Sequence, residues 1–146
     1  METEINTEVK KDKIKLDFKE SNYATGRRKK SIARVWVKKG SGNIHVNGKK
    51  INEYFLKINL QTAINRPLTI TKRENEYDVK CSVKGGGLTG QAGAIILGIS
   101  RALVVFEPDL KSVLKKEKLT TRDSRVVERK KYGRRKARRS FQFSKR

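Results

Sequence analysis

The segment from residue 129 to residue 146 constrains this chain most, because it cannot fold by itself. Ten of its eighteen residues are Lys or Arg and none is acidic. Its apolar residues, Tyr132, Ala137, Phe141 and Phe143, are too few and too irregular to bury a helix face. A polyanion would remove the repulsion between neighbouring cations, because each Lys or Arg that meets a phosphate releases condensed counterions. We therefore predict an extended basic tail that binds a polyanion, in preference to a tail that only aids solubility.

The whole chain shares this bias, with 37 Lys and Arg against 15 Asp and Glu and a formal net charge of +22. A net charge of this size indicates what kind of partner the chain binds, but it does not indicate the fold. Nucleic acid is the expected partner. An anionic membrane would call for a basic amphipathic helix or a lipidation site, and we find neither. No apolar run approaches the roughly twenty residues that span a bilayer, so we predict no membrane partner.

Cys81 and His45 are the only residues of their types, which excludes an intrachain disulfide and a zinc site of the finger type within one chain. We predict no metal, no cofactor and a reducing compartment. Residues 1–8 are acidic and lack an apolar region, so they resemble neither a secretory signal nor a transit peptide. His45 is expected to be an ordinary surface imidazole in a short strand. Since no Ser or Cys stands in a nucleophile context, we predict that the protein is not an enzyme.

The chain divides into three predicted parts: a mobile extension at residues 1–20, a globular body at residues 21–118 and a basic tail at residues 119–146. The extension is expected to end in a short edge strand at residues 14–18. Residues 31–38 alternate between aliphatic and polar or aromatic side chains, which predicts a strand with one aliphatic face. The turn at residues 39–42 predicts a hairpin with a partner strand at residues 43–46.

Trp36 lies on the other face of the first strand, between Arg34 and Lys38. It would be a base-stacking platform on an open face, or ordinary core beneath a helix. We favour core, because large aromatic side chains usually serve burial.

Helical spacing of apolar residues covers residues 51–64, as one helix or two short ones, and Pro67 is expected to end it. A second hairpin is predicted between residues 68–71 and 77–84. Residues 77–84 alternate, which is typical of an antiparallel sheet with one buried face. A long apolar helix at about residues 89–106 and a short helix at residues 109–118 complete the body.

A glycine loop precedes the long helix, where Gly85, Gly87 and Gly90 satisfy the pattern GxGxxG. With Glu107 about twenty residues further on, a dinucleotide site must be considered. The alternating strand before the loop argues against it, since the first strand of such a fold is buried on both faces. The loop can instead offer backbone N–H groups to a nucleic-acid phosphate. It can also be a tight turn, with Gly93 and Gly98 allowing close helix packing. Both interpretations are compatible.

Six stretches together carry a resemblance to a known family. They are Tyr-Ala-Thr-Gly-Arg-Arg-Lys at residues 23–29, residues 44–54, Val-Lys-Gly-Gly-Gly-Leu-Thr-Gly-Gln-Ala-Gly-Ala at residues 83–94, Thr-Arg-Asp-Ser-Arg-Val-Val-Glu-Arg-Lys-Lys at residues 121–131, Arg-Lys-Ala-Arg-Arg at residues 135–139 and Gln-Phe-Ser-Lys-Arg at residues 142–146. In this order they resemble ribosomal protein nine of the small subunit, in its bacterial or organellar form.

The resemblance implies an α+β body with a small, mainly antiparallel four-stranded sheet backed by helices, like domain two of ribosomal protein five. It also implies binding to ribosomal RNA in the head of the small subunit, beside other small-subunit proteins, in the cytoplasm or an organellar matrix. The tail would thread through RNA towards the decoding centre. Its last residues, Ser144, Lys145 and Arg146, would approach the anticodon stem-loop of transfer RNA in the peptidyl site.

The predicted contacts with ribosomal RNA fall into two groups. Those of the body are Arg27, Arg28, Lys29, Lys30, Lys84, Gly85, Gly86 and Gly87. Those of the tail are Arg122, Arg125, Arg129, Lys130, Lys131, Arg134, Arg135, Lys136, Arg138 and Arg139, with Tyr132, Phe141 or Phe143 available to stack on bases. Two alternatives stay open: a free-standing binder of DNA or messenger RNA, and a nucleotide-dependent enzyme at the glycine loop.

Overall fold

Five strands form one mixed sheet in the computed structural model, which describes residues 19–145. They are β1 (Asn22–Arg28), β2 (Ser31–Lys39), β3 (Ile44–Val46), β4 (Lys49–Lys50) and β5 (Tyr77–Lys84). Their order is β1-β2-β5-β3-β4, and all neighbouring pairs are antiparallel except β3 and β5, which are parallel. The predicted α+β class is confirmed, but the sheet is mixed and has five strands where four were predicted.

The predicted hairpin of residues 31–38 with 43–46 is wrong, because β5 lies between β2 and β3. Val79 stands opposite Val37 of β2 on one side and opposite Ile44 of β3 on the other. This central position buries the alternating apolar residues of β5 against aliphatic neighbours from both sides. The true hairpin partner of β2 is β1, across a turn at Lys29 and Lys30.

The helices are α1 (Ile51–Tyr54), α2 (Ile58–Ile70), α3 (Leu88–Phe106) and α4 (Leu110–Lys116). The predicted long and short helices are confirmed, and residues 51–64 form two helices. Pro67 does not end α2, which continues to Ile70, so the strand predicted at residues 68–71 and its hairpin are wrong. Pro67 is buried together with Ile64 and Leu68, and this burial offsets the hydrogen bond that proline cannot donate.

The core lies between one face of the sheet and the helices α2 and α3. As predicted, the alternating positions of the two long strands are buried: Ala33, Val35 and Val37 of β2 and Tyr77, Val79, Cys81 and Val83 of β5. α3 crosses β1 and β2 so closely that a Cβ on Gly26 would overlap the carbonyl oxygen of Ala94. Gly98 likewise makes room for the side chain of Val35.

Trp36 lies on the other face of the sheet and is half-buried, so the prediction that it belongs to the core is wrong. The buried positions of β2 alternate with it, and α3 packs on their side of the sheet, with α2 against α3. His45, predicted to be a surface residue, is buried on this outer face with 9% of its area exposed.

α3 is long and apolar enough to cross a membrane by length and composition alone, contrary to the expectation that no stretch approaches this size. In the folded chain, 61% of the relevant window is buried inside the protein, as is typical of a core helix.

Two parts of the predictions lie outside the described residues. The first is most of the extension, including its edge strand at residues 14–18, and the second is Arg146. After α4, residues 117–145 contain neither helix nor strand, and nearly all are exposed. Leu119 is the buried exception and packs with the core.

Candidate nucleic-acid interface

The turn between β1 and β2 exposes a run of cations. Arg28 pairs with Ser31 in the β-ladder, which leaves Lys29 and Lys30 as a two-residue connection. Lys29 adopts the left-handed conformation, with φ of 52°. The side chains of Arg27, Lys29 and Lys30 are exposed. The tight turn therefore presents three positive groups within four residues of chain.

The glycine loop at residues 85–87 lies directly beside this turn. Gly85 has φ of 74°, and a Cβ there would stand 2.6 Å from the carbonyl oxygen of Lys30. The hydroxyl of Ser31 donates a hydrogen bond to the carbonyl of Gly85 at 3.0 Å. The fold thus joins two predicted RNA-binding groups that are far apart in sequence. We call this surface, formed by residues 27–30 and 84–87, the basic end.

α3 begins at the basic end, with its first amide groups available to a ligand. Gly87 is its N-cap, and no side chain caps the first turn. Gln91 braces the loop, because its Nε2 donates to the carbonyl of Gly85 at 3.2 Å while its Oε1 accepts from the Tyr54 hydroxyl at 2.8 Å. Uncapped N–H groups and the helix dipole favour an anion such as a phosphate at this position.

Arg28 connects the basic end to the first residues of the tail. Its guanidinium lies 3.4 Å from the carboxylate of Asp123, and its chain passes over Gly93, where a side chain would collide with it. The buried Nε of Arg28 has no hydrogen-bond partner among the described residues. Arg125 donates to the same carboxylate at 2.8 Å. This hydrogen bond, with the charge of Arg28, holds the pKa of Asp123 well below its ordinary value.

The tail forms a local turn of its own further along. Arg134 donates to the carbonyl of Arg138 at 2.9 Å and to the Ser140 hydroxyl at 3.0 Å. The backbone N–H of Arg135 donates to the carbonyl of Arg139 at 2.9 Å, and its guanidinium stands 5.7 Å from the ring centre of Phe141. These contacts place several predicted RNA-binding cations on one exposed loop.

Glu128 is an acidic residue that forms ion pairs with cations of the tail. It pairs with Arg138 at 3.0 Å and with Lys131 at 3.8 Å. All three side chains are substantially exposed, so the pairs contribute little to stability and can be exchanged for contacts with an external anion.

The remaining predicted contacts are also exposed. Arg122, Arg129, Lys130 and Lys136 lie along the tail, Ser144 and Lys145 near its described end, and the rings of Tyr132 and Phe143 are open to solvent. The structure therefore joins the predicted body residues at one end and links Arg125 to them through Asp123. The cations of residues 131–139 lie on the separate loop of the tail.

Sequence reasoning missed the residues that assemble the site. Asp123 was overlooked because a single acid in a basic segment looks incidental. Ser31 carries no sequence signal of its function, since its partner, the carbonyl of Gly85, is 54 residues away in the chain and comes close only through the fold. Gln91 is local to the loop, but no motif indicates that its side chain donates to the same carbonyl.

The geometry does not support a dinucleotide site at the glycine loop. β5, which precedes the loop, is antiparallel to β2, and α3 is followed by α4 where a second parallel strand would be needed. Glu107 accepts hydrogen bonds from the Tyr77 hydroxyl and from Arg73, so it is engaged in holding α3 to β5. Among residues 19–145, no group of His, Cys, Asp and Glu side chains could hold a metal ion.

The family described as ribosomal protein S9/S16 matches residues 26–146 of this chain. The match includes the basic end, the glycine loop and the whole tail. The chain belongs to the ribosomal protein S9/S16 family. Members of this family are structural, RNA-binding proteins of the ribosome and serve translation as parts of a ribonucleoprotein. The resemblance found in the sequence is thereby confirmed.

Proposed function

We propose that this protein is a structural component of the small ribosomal subunit, with a body at residues 21–118 that binds ribosomal RNA in the subunit head. The observation that carries this proposal is the basic end. Two cation-bearing segments, more than fifty residues apart in sequence, meet at the uncapped start of α3. Together they offer point charges and backbone N–H groups to a phosphate backbone, which is how proteins position themselves on RNA.

The tail, at residues 119–146, continues this contact away from the body. Its cations, Arg122, Arg125, Arg129, Lys130, Lys131, Arg134, Arg135, Lys136, Arg138 and Arg139, would lie on phosphates, while Tyr132, Phe141 or Phe143 stack on bases. Once RNA replaces the contacts of the turn at residues 134–140, about seventeen extended residues cover on the order of 55 Å, so the tip can reach RNA far from the body. Ser144, Lys145 and Arg146 would then contact transfer RNA in the peptidyl site.

The body contact can be tested by charge removal at two places. We would replace Lys29, Lys30 and Lys84 with glutamine, and compare this variant with a matched one in which Lys111, Lys115 and Lys116 of α4 are replaced. We expect the first variant to lose most of its incorporation into small subunits at moderate salt, measured by gradient sedimentation, and the second to stay close to wild type. Equal losses would contradict a specific basic end, and a wild-type protein that does not sediment with small subunits would contradict the ribosomal assignment for this chain.

The tail contact needs a different readout. Deleting residues 144–146 should leave incorporation nearly unchanged but speed the dissociation of transfer RNA from the peptidyl site of purified subunits. Unchanged dissociation would refute the proposed contact of the tip.

A further inference from the structure

The outer face of the sheet, on the side away from α2 and α3, carries two aromatic rings beside two cations. Tyr23 of β1, Trp36 of β2 and Lys80 of β5 stand side by side in the ladder. Arg34 lies two residues before Trp36 on the same face. We call Tyr23, Arg34, Trp36 and Lys80 the outer aromatic cluster.

The members of the cluster touch one another. The rings of Tyr23 and Trp36 are 5.4 Å apart between centroids and tilted by 44°. The Arg34 guanidinium stands 5.1 Å from the centre of the Trp36 ring and 5.8 Å from that of Tyr23. The ammonium of Lys80 is 5.8 Å from the Trp36 ring. Arg34 is exposed and 46% of Tyr23 is exposed, so a planar cation supported by two rings faces solvent.

The charge around the cluster indicates the kind of partner. The cations at the outward positions of β1, β2 and β5 are Arg27, Arg34, Lys38, Lys80 and Lys84. The acid at these outward positions, Asp78, is used within the protein, because it accepts hydrogen bonds from the backbone N–H groups of Ser41 at 3.0 Å and Asn43 at 2.8 Å. This face therefore favours a polyanion.

The rings of Tyr23 and Trp36 indicate which class of polyanion this face would bind. A guanidinium plane backed by aromatic rings stacks well on a nucleobase, and such stacking tolerates any base because every base has a π-face. The base must be unpaired, since a paired base has its faces covered by its neighbours.

We propose that the outer aromatic cluster is a second RNA surface, which stacks an unpaired base on Arg34 and Trp36 while the surrounding cations contact the adjacent phosphates. Arg27 and Lys84 belong both to this face and to the basic end, so one RNA strand can continue from one surface to the other. The inference extends the proposed function and rests on its RNA partner, but it does not depend on the path of the tail.

The single tryptophan makes the test local, because Trp36 alone carries the indole fluorescence of the chain. We would titrate the full-length protein with single-stranded oligoadenylate of about ten nucleotides and with an abasic oligonucleotide of equal phosphate number. Stacking should quench Trp36 with oligoadenylate and much less with the abasic strand, although both strands bind the tail. Equal quenching by both strands or by polyglutamate, or no quenching at saturation, would overturn the proposal.

A matched pair of variants separates stacking from charge. Arg34→Gln and Lys38→Gln each remove one cation from the outward face of β2, but only Arg34 lies over the rings. We expect Arg34→Gln to raise the oligoadenylate concentration at half-maximal quenching by about tenfold, and Lys38→Gln to raise it by no more than about threefold. Equal shifts would overturn the proposal.

The outcomes also separate this inference from the proposed function. If the wild-type protein sediments with small subunits but oligoadenylate does not quench Trp36, only the outer RNA surface is refuted. If quenching occurs but the protein does not sediment with small subunits, only the ribosomal assignment is refuted.

Discussion

The body and the tail both carry many cations, but different forces fix their shapes. In the body, side chains such as Val35, Ile95 and Leu103 have no exposed surface, and each square ångström of buried apolar area contributes about 25 cal/mol. In the described tail beyond Leu119, the contacts include hydrogen bonds, ion pairs and the ring contact of Arg135 with Phe141, mostly among exposed groups. Exposed ion pairs contribute roughly 0–1 kcal/mol each.

The shapes of the two regions therefore depend on different interactions. The apolar residues of the body find their partners within the chain. The tail has few apolar residues to bury, so we expect the free energy that fixes its path to come from a partner. Variants that disturb the two regions separately test this division.

The largest difference in the free energy of unfolding is expected between variants of two phenylalanines. Phe55 is fully buried, whereas Phe143 is 88% exposed. Phe55→Ala should lower the free energy of unfolding by about 3–5 kcal/mol, because it removes a buried ring and leaves a cavity. Phe143→Ala should change it by less than about 0.5 kcal/mol. Urea unfolding followed by circular dichroism measures both, and similar losses from the two variants would contradict the difference between body and tail.

A smaller effect is expected where α3 is held to β5. Burial, and then the hydrogen bond to Glu107, raise the pKa of Tyr77 to about 12. Tyr77→Phe should cost about 1 kcal/mol at neutral pH through the lost hydrogen bond.

The pH dependence gives the sharper check on Tyr77. Since the folded state holds the phenolic proton more tightly, the contribution of Tyr77 is complete below the ordinary pKa of 10.0 and is lost as the pH rises from 10.0 to about 12. The stability of the wild-type protein should therefore fall more steeply in this range than that of Tyr77→Phe. Parallel curves of unfolding midpoint against pH would contradict the assignment.

The smallest effect is expected at Asp123, which ties the tail to Arg28. Asp123→Asn should leave the urea midpoint of the body unchanged but alter the amide chemical shifts of Arg28 and Gly93. Because the pKa of Asp123 is depressed, its ion pairs persist above the ordinary value of 3.8 and weaken only as the pH falls below it. Glu128→Gln is the control, since Glu128 pairs with Lys131 and Arg138, which both lie within the tail. Equal shifts at Gly93 in both variants would contradict the link.

The sequence predicted buried faces better than it predicted neighbours. Alternation identified the inward residues of β2 and β5, because a strand with one apolar face has one way to bury it. Strand order failed, since β5 reaches its place between β2 and β3 through contacts far apart in the chain. β1 was missed because its inward residues include Ala24 and Gly26, whose small size allows α3 to approach but leaves no hydrophobic pattern.

The candidate site was predictable in composition but not in assembly. Runs of Lys and Arg are visible in the sequence, so the cations of the basic end could be predicted from it. That Ser31 holds the glycine loop against the β1–β2 turn, and that Gln91 of α3 supports the same carbonyl, could not be seen without the fold. The sequence predicts Trp36 in the core because aromatic residues are usually buried. Tertiary packing, however, decides which face of the sheet the helices cover.

Hydrogen exchange of the full-length protein, free and within assembled small subunits, shows whether the tail acquires a fixed path only on RNA. In the free protein, amides of α3 should exchange slowly and those of residues 120–145 at rates close to an unstructured chain. In the assembled subunit, exchange of the tail amides should slow by at least about tenfold, because RNA then fixes their path. Strong protection of the tail in the free protein, or none in the subunit, would contradict the account.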